Sequence, residues 1–526
     1  MQKTIVDSGP LIALFDASDK YHKVVLNFMK ELYYNLSSTY EPEEWTKMNA
    51  FLEINILQLL NIIFILIVIF FERKRVMNTL GWVLFLSLTS YIGFIFYLLF
   101  GLKLRKKRRL KEKENNFMFQ NFILKRNELW EDNGKVELNK EYFDLIYYLE
   151  YNAKTLYYPY NKITQYTDGT QLFDVLEKSL RSAKKFIHME YYIFRADQLG
   201  KRIKNILIEK AKEGVEVKFI YDGMGSLSVK DRFFNDLRKA GGEVECFFPP
   251  LLPPFSIRWN FRNHRKIVIV DGVEAYIGGF NVGDEYLGKD KKFGYWRDTQ
   301  IKIEGDAIDN IEAEFLMDWA FVKNDTNIVG LDVDKYFLKR GPVGDVGIQI
   351  CTGGPNYEQP FIKDSIIKLI NKAKKSIYIQ SPYFIPDDTI LDILKIAILS
   401  GVEVNIMIPN KPDHIFVYWA TLSNVGELID LGAKVYIYEN GFLHSKTLII
   451  DNEIASTGTA NMDMRSFYVN FEINAIVYNK DFAMELHNSF MNDVKNSSLL
   501  TKELYEQRSR IVKIKESISR LVSPIL

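Results

Sequence analysis

The chain has 526 residues, 47% hydrophobic and 26% charged. That is too long for one ordinary core and too apolar for a disordered chain. A net charge of +1 gives no global field for a nucleic-acid partner, and none is expected. With only Cys246 and Cys351, a disulfide framework or a cysteine-rich zinc site is excluded.

In chain order, residues 1–47 come first. The stretch 4–15 (TIVDSGPLIALF) reads as a buried strand and turn, and 16–32 as a capped amphipathic helix. This opening resembles that of PIN-domain nucleases, which would place a divalent metal on Asp7. One Asp is not a metal site, however, and the chain turns apolar before further acidic ligands arrive. Residues 1–47 are therefore expected to be a fused remnant or a mis-set start, with Met48 as the native start.

Residues 48–115 are predicted to form a transmembrane hairpin with a basic juxtamembrane segment. Residues 54–71 hold 18 consecutive uncharged positions and 80–102 hold 23, against the ~20 apolar residues a spanning helix needs. Eight Lys or Arg lie between Lys103 and Lys113. The positive-inside tendency places that cluster, both chain ends and the catalytic domains in the cytoplasm, with the protein a multi-pass protein of the cell membrane. The same cluster suits anionic lipid headgroups.

Beyond residue 116 the chain repeats itself, and two domains are expected, 116–340 and 341–526. AKKFIHMEYYIF (183–194), GVEVKFIYDG (214–223), GGEVECFF (241–248) and HRKIVIVDG (264–272) recur in order as AKKSIYIQSPYFIP (373–386), GVEVNIMIPN (401–410), GAKVYIYE (432–439) and HSKTLIIDN (444–452). The offsets run from 180 to 191 residues. β-Branched and aromatic runs alternate with helical stretches, which predicts an α/β fold of two equivalent units packed face to face about a pseudo-twofold axis.

Each half carries His-x-Lys-x4-Asp: His264, Lys266 and Asp271, then His444, Lys446 and Asp451. Asn281 and Asn461 follow 17 residues after each His; Asp298 follows His264 by 34, and Glu472 follows His444 by 28. His and Lys at i and i+2 of a strand share a face. That pairing makes a poor core and a good phosphate site, with lysine as a point charge and neutral imidazole as nucleophile or base. The Asp residues, counted with the catalytic set, end their strands at turns and are expected to hold motif geometry. The two Asn are expected to donate to phosphoryl oxygens. Asp298 and Glu472 are expected to orient the histidines as the distant carboxylates of their own copies. One half supplies one histidine, whereas displacement at phosphorus needs a nucleophile and a proton donor, so both halves should form one site. Neither metal nor other cofactor is expected, because the cations are built in.

Of the other histidines, His22 and His487 read as surface and His188 as core. His414 opens a helix as a cap or a substrate contact. Residues 249–261 (PPLLPPFSIRWNF) read either as an acyl-chain entrance or as a proline-rich connection.

The two motifs with their G-G-x-N and G-T-x-N tails resemble the phospholipase D superfamily. With two apolar runs, a basic stretch and a C-terminus reading SISRLVSPIL, residues 48–526 resemble bacterial cardiolipin synthases. The resemblance implies transfer of a phosphatidyl group between two phosphatidylglycerol molecules through a phosphohistidine. It implies anionic membrane phospholipids and the membrane itself as partners, His264 as nucleophile and His444 as acid and base. Pseudo-symmetry leaves that last assignment open on the residues alone. A phospholipid hydrolase and a membrane-anchored phosphodiesterase or nuclease are the rival readings.

Overall fold

The computed structural model describes residues 27, 59, 61–66, 68–69, 76–97, 140–249, 261–323, 333–338, 340–411 and 413–522. The remainder of 1–47, with Asp7 and His22, the basic run 103–113 and residues 250–260 lie outside the described residues. The chain divides into two units, Met1–Leu104 and Arg105–Leu526.

In the first unit, described parts of the first apolar run are helical, and helix α1 (Val76–Phe96) covers most of the second. The two runs touch. Asn61 Nδ2 donates to Leu86 O at 3.2 Å, and Val68, Leu86 and Tyr97 pack together. Leu59, Ile62, Leu66, Leu80, Leu84 and Leu88 point outward, unburied. Side chains of α1 are described over 79–89 and at 93, and among the described residues no helix is long and apolar enough to cross a membrane. Of the expected hairpin, the described residues show two apolar helical runs packed on one another.

The second unit is built on eighteen strands among the described residues. The first half contributes β1 (Tyr157–Asp168), β2 (Phe186–Tyr191), β3 (Glu216–Asp222), β4 (Glu243–Phe247), β5 (Lys266–Val270), β6 (Glu274–Gly278) and β7 (Trp296–Glu304). The second contributes β8 (Val346–Gly353), β9 (Ser376–Gln380), β10 (Phe384–Ile385), β11 (Glu403–Pro409), β12 (Lys434–Tyr438), β13 (Phe442–Leu443), β14 (Thr447–Ile450), β15 (Ile454–Gly458), β16 (Met462–Asp463), β17 (Glu472–Tyr478) and β18 (Ser497–Leu499). The order β1-β7-β6-β5-β2-β3-β4 is matched by β8-β17-β15-β14-β9-β11-β12, with β18 appended.

The helices are α2 (Gly169–Ser182), α3 (Gln198–Lys212), α4 (Ile308–Lys323), α5 (Phe361–Lys372), α6 (Asp388–Leu399), α7 (Ile415–Ile429), α8 (Lys480–Val494) and α9 (Arg510–Val522), besides several single turns. Their starts are legible. Asp168, Asp197, Asp387 and Asn479 each accept a backbone N–H of the first turn, as short polar caps do. In α2, Leu172, Phe173, Leu176 and Leu180 recur on one face and are buried against the sheet.

The halves, expected face to face, meet in two ways. β1 pairs antiparallel with β8, Tyr157 opposite Gln349, so the two sheets are continuous and neither strand is left as an open edge. A shared apolar core joins Ile267, Ile277 and Ile301 of the first half to Ile449, Ile473 and Ala475 of the second.

A buried ion pair adds to the join. Arg297 on β7 donates to Asp493 at the end of α8, at 3.0 Å and 2.8 Å, and Gln380 supports the same carboxylate at 2.8 Å. Removing one partner of such a pair strands a charge in a dry site. Arg297→Ala should therefore destabilise the chain by about 3–5 kcal/mol, read as a lowered urea midpoint with an unchanged slope.

Candidate active site

Both motif histidines stand where one half's backbone meets the other's. His264 N donates to Phe471 O at 2.9 Å, and His444 N to Arg297 O at 2.7 Å. The second crossing is extended by β13, which pairs in parallel with Trp296 and Arg297 of β7. The first is a single bridge between Asn263 and Phe471. The residue after each accepting carbonyl is a carboxylate.

This arrangement overturns the assignment of each carboxylate to its own copy. Glu472 Oε2 lies 2.9 Å from Nδ1 of His264, and Asp298 Oδ2 lies 2.5 Å from Nδ1 of His444. The carboxylates are exchanged between halves because their strands run alongside the opposite motif. Each pair puts the ring proton on Nδ1 and leaves Nε2 as the reactive nitrogen. Asp298 also accepts from Thr299 N at 2.8 Å, and Glu472 from Asn470 Nδ2 at 3.3 Å.

The lysines share the site. Lys266 Nζ donates to His264 O at 2.6 Å, and Lys446 Nζ donates to His444 O. Lys446 Nζ also lies 2.9 Å from His444 Nδ1. A nitrogen that donates to Asp298 accepts nothing, so the Lys446 donation runs to the carbonyl. Burial lowers the Lys266 ammonium to about 7 and the Lys446 ammonium to about 8, despite Glu472 and Asp298. Burial, helped by Lys266 and Lys446 and opposed by Glu472, lowers His264 to about 4. Burial and then Lys446 lower His444 also, against Asp298. Burial alone would raise the two carboxylates. Instead Lys446 and His444 hold Asp298 low, and His264 and Lys266 hold Glu472 low. Each lysine lowers its own half's histidine most and the opposite half's histidine as well.

Asp271 and Asp451 are not part of this cluster. Asp271 accepts the backbone N–H groups of Lys184, Lys185 and Phe186 at 2.7–2.9 Å, and Asp451 those of Lys374, Lys375 and Ser376 at 2.7–2.8 Å. Both adopt φ 53°. They sit five residues, about 16 Å of strand, from the lysines. Counting them with the catalytic set is corrected accordingly: they tie the AKK turn to the motif strand and touch no reacting group.

Asn281 is largely committed within the protein, accepting from Ile193 N at 3.0 Å and donating to Tyr286 Oη at 3.2 Å. Asn461 differs: its Oδ1 is buried without a partner. His188 is buried as expected, but inside an ion cluster, 2.7 Å from Glu312 and 3.3 Å from Glu216. His487 is half-buried against Tyr378, not a plain surface residue. His414 is exposed at the start of α7 and makes no side-chain cap.

Three features carried no local signal. The Tyr192 ring packs 4.8 Å from His264, and Trp296 lies 5.2 Å from His444. Arg265, between His264 and Lys266, is fully buried and pairs with Glu314 and Asp318 of α4. The motif pattern leaves that middle position free, and its counterpart is Ser445.

Gly279 makes room for the Asp298 carboxylate. A Cβ there would stand 1.9 Å from Oδ1. Gly279→Ala should push Asp298 off His444 and cut turnover by about 10²-fold, the scale of a 1 Å misplacement. An unchanged circular dichroism spectrum would show that the fold survives.

Residues 176–319 and 366–494 match the family described as "Cardiolipin synthase, PLD-like domain", and residues 59–101 match "Phospholipase_D-nuclease N-terminal". The chain is 47% identical over 474 residues to the major cardiolipin synthase ClsA of Bacillus subtilis strain 168, covering 89% of this chain and 98% of that one. It is 48% identical over 475 residues to the cardiolipin synthase of Staphylococcus aureus strain Mu50, covering 89% and 95%. Among solved structures, a phosphatidylserine synthase of Haemophilus influenzae Rd KW20 matches with a TM-score of 0.55 and 14% identity, over 69% of this chain and 95% of that one, a likeness of fold. With both repeats matched and nine-tenths of the chain aligned at this identity, the chain belongs to the bacterial cardiolipin synthase family of the phospholipase D superfamily.

Proposed function

We propose that this chain joins two phosphatidylglycerol molecules into cardiolipin and releases glycerol. The observation that carries the reading is the pair of histidines, each held through Nδ1 by the opposite half's carboxylate. His264 Nε2 attacks phosphorus of the first lipid. The bond to its glycerol headgroup breaks, and the imidazolium of His444 gives its proton to the departing alkoxide. The hydroxyl of a second phosphatidylglycerol then gives its proton to His444 and attacks phosphorus. The His264–phosphorus bond breaks and cardiolipin forms. An incoming phosphodiester anion raises the pKa of His444, supplying the protonated form the first step needs. Lys266, Lys446 and Asn461 stabilise the charge on the phosphoryl oxygens.

Both histidines are only 8% exposed. That seclusion favours a lipid alcohol over water in the second step. Both substrates are bilayer lipids; the outward apolar side chains of the first unit support a membrane location, and the basic run 103–113 in the sequence supports placing the catalytic unit on the cytoplasmic side.

Incubating the protein with vesicles of labelled phosphatidylglycerol should yield cardiolipin and glycerol; phosphatidic acid as the main product would overturn the reading. His264→Ala should lose turnover and form no covalent adduct. His444→Ala should lose turnover yet accumulate phosphatidyl-enzyme. An adduct in the first variant instead would reverse the two roles.

The lysines set a pH response. Both are cations below their depressed values, about 7 and about 8, and neutral above them. Phosphodiester affinity should therefore fall as pH rises through 7 to 8, seen as a rising KM, where ordinary lysines would hold until about pH 10. Lipid binding at pH 8 should take up protons, measurable as a buffer-dependent binding heat.

A further inference from the structure

The C-terminal helix α9 faces the wrong way for a soluble protein. Ile511, Ile514, Ile518 and Leu521 form one stripe at three- and four-residue spacing, and they are 65, 59, 51 and 80% exposed. The opposite side is polar and docked, with Glu516 and Ser519 buried and Glu516 accepting from Arg508 at 2.8 and 2.9 Å. Glu516 is the one acidic residue of the helix. What α9 shows outward is otherwise basic: Arg510, Lys513 and Lys515 are exposed beside the stripe.

The stripe continues toward the catalytic centre. Lys515 lies over the ring of Trp419 at 5.2 Å, and Arg520 approaches Glu427 at 3.6 Å. The helix therefore runs in the same direction as α7, and Ile511 lies near the start of α7. There Ile415 and Phe416 are 66 and 57% exposed. Two residues earlier, Asp413 accepts from Tyr383 Oη, and its charge acts on Lys446 of the second motif.

We propose that α9, with Ile415 and Phe416, is a lipid-contacting face that seats the catalytic cleft on the surface of an anionic bilayer. An apolar stripe flanked by lysine and arginine, on a helix whose single carboxylate, Glu516, is buried, fits acyl chains below and anionic headgroups beside it. This face belongs to the catalytic unit and lies along the membrane rather than through it. The lipid contact stands without the proposed reaction; only its effect on turnover rests on that reading.

The test uses the full chain in vesicles containing phosphatidylglycerol, with Cys246→Ala and Cys351→Ala and a fluorophore on Ile518→Cys. A nitroxide on the lipid acyl chain should quench this label strongly, and a label on Lys239→Cys, exposed in the first half, weakly. Equal quenching at the two positions overturns the proposal. So does a label at 518 shielded from lipid and water alike, which would mean that another segment covers the stripe. Cross-linking of 518 to 518 without lipid quenching also overturns it, in favour of a second copy. As a functional readout, Ile514→Glu with Ile518→Glu should lower turnover of vesicle phosphatidylglycerol by about tenfold and leave turnover of dispersed short-chain phosphatidylglycerol unchanged. An equal fall on both substrates overturns the seating role, and normal lipid quenching beside absent cardiolipin formation would sink the proposed reaction alone.

Discussion

Asp298 and Glu472 are both fully buried carboxylates, and each has its histidine in the other half of the molecule. A buried charge without a partner costs several kcal/mol, so neither half offers a tolerable home for its own carboxylate. The exchange makes assembly of the halves a condition for satisfying both. Around it lie the other crossings: the backbone of each histidine on the opposite strand, Arg297 on Asp493, and Arg265 donating to the carbonyls of Glu472 and Gly353. The active site and the join between halves are therefore the same structure.

Symmetry of the backbone coexists with asymmetry of the side chains, and the chemistry needs both. In the proposed reaction two histidines must be equivalent enough to face one phosphate, yet one attacks while the other moves a proton. The surroundings differ at matched positions. Tyr192 packs on His264 where the second half has Pro382, and Arg265 with its carboxylates stands where the second half has Ser445, bonded to Thr299 at 2.5 Å. Gly279 leaves space for Asp298, whereas Thr459 meets the backbone N–H of Ile473 with its hydroxyl at 2.9 Å. Such differences give the two histidines unlike surroundings through local packing and charge, with no change of fold.

Burial also explains how cations are held ready without saturating the site. Lysines at their ordinary pKa would be permanently charged and strongly hydrated. Dry surroundings, joined for Lys266 by the charge of Lys446, lower the two ammonium groups to about 7 and about 8, and a phosphodiester bound as proposed would favour their charged forms. The proposed reaction therefore couples the protonation state of the site to occupancy by an anionic lipid.

Much of this was local and hence legible in the chain. The internal repeat, the shared face of His264 with Lys266 and of His444 with Lys446, and the strand-ending turns at Asp271 and Asp451 follow from short-range periodicity and turn chemistry. The need for two halves followed from the chemistry of one phosphate. Long-range partners were not legible. Glu472 reaches His264 across 208 residues and Asp298 reaches His444 across 146, and spacing along one copy cannot show which copy a carboxylate will serve. The outward stripe of α9 was hidden for a related reason: the sequence determines that this helix has an apolar side and a polar side, but only docking through Glu516 and Ser519 decided which side meets the protein.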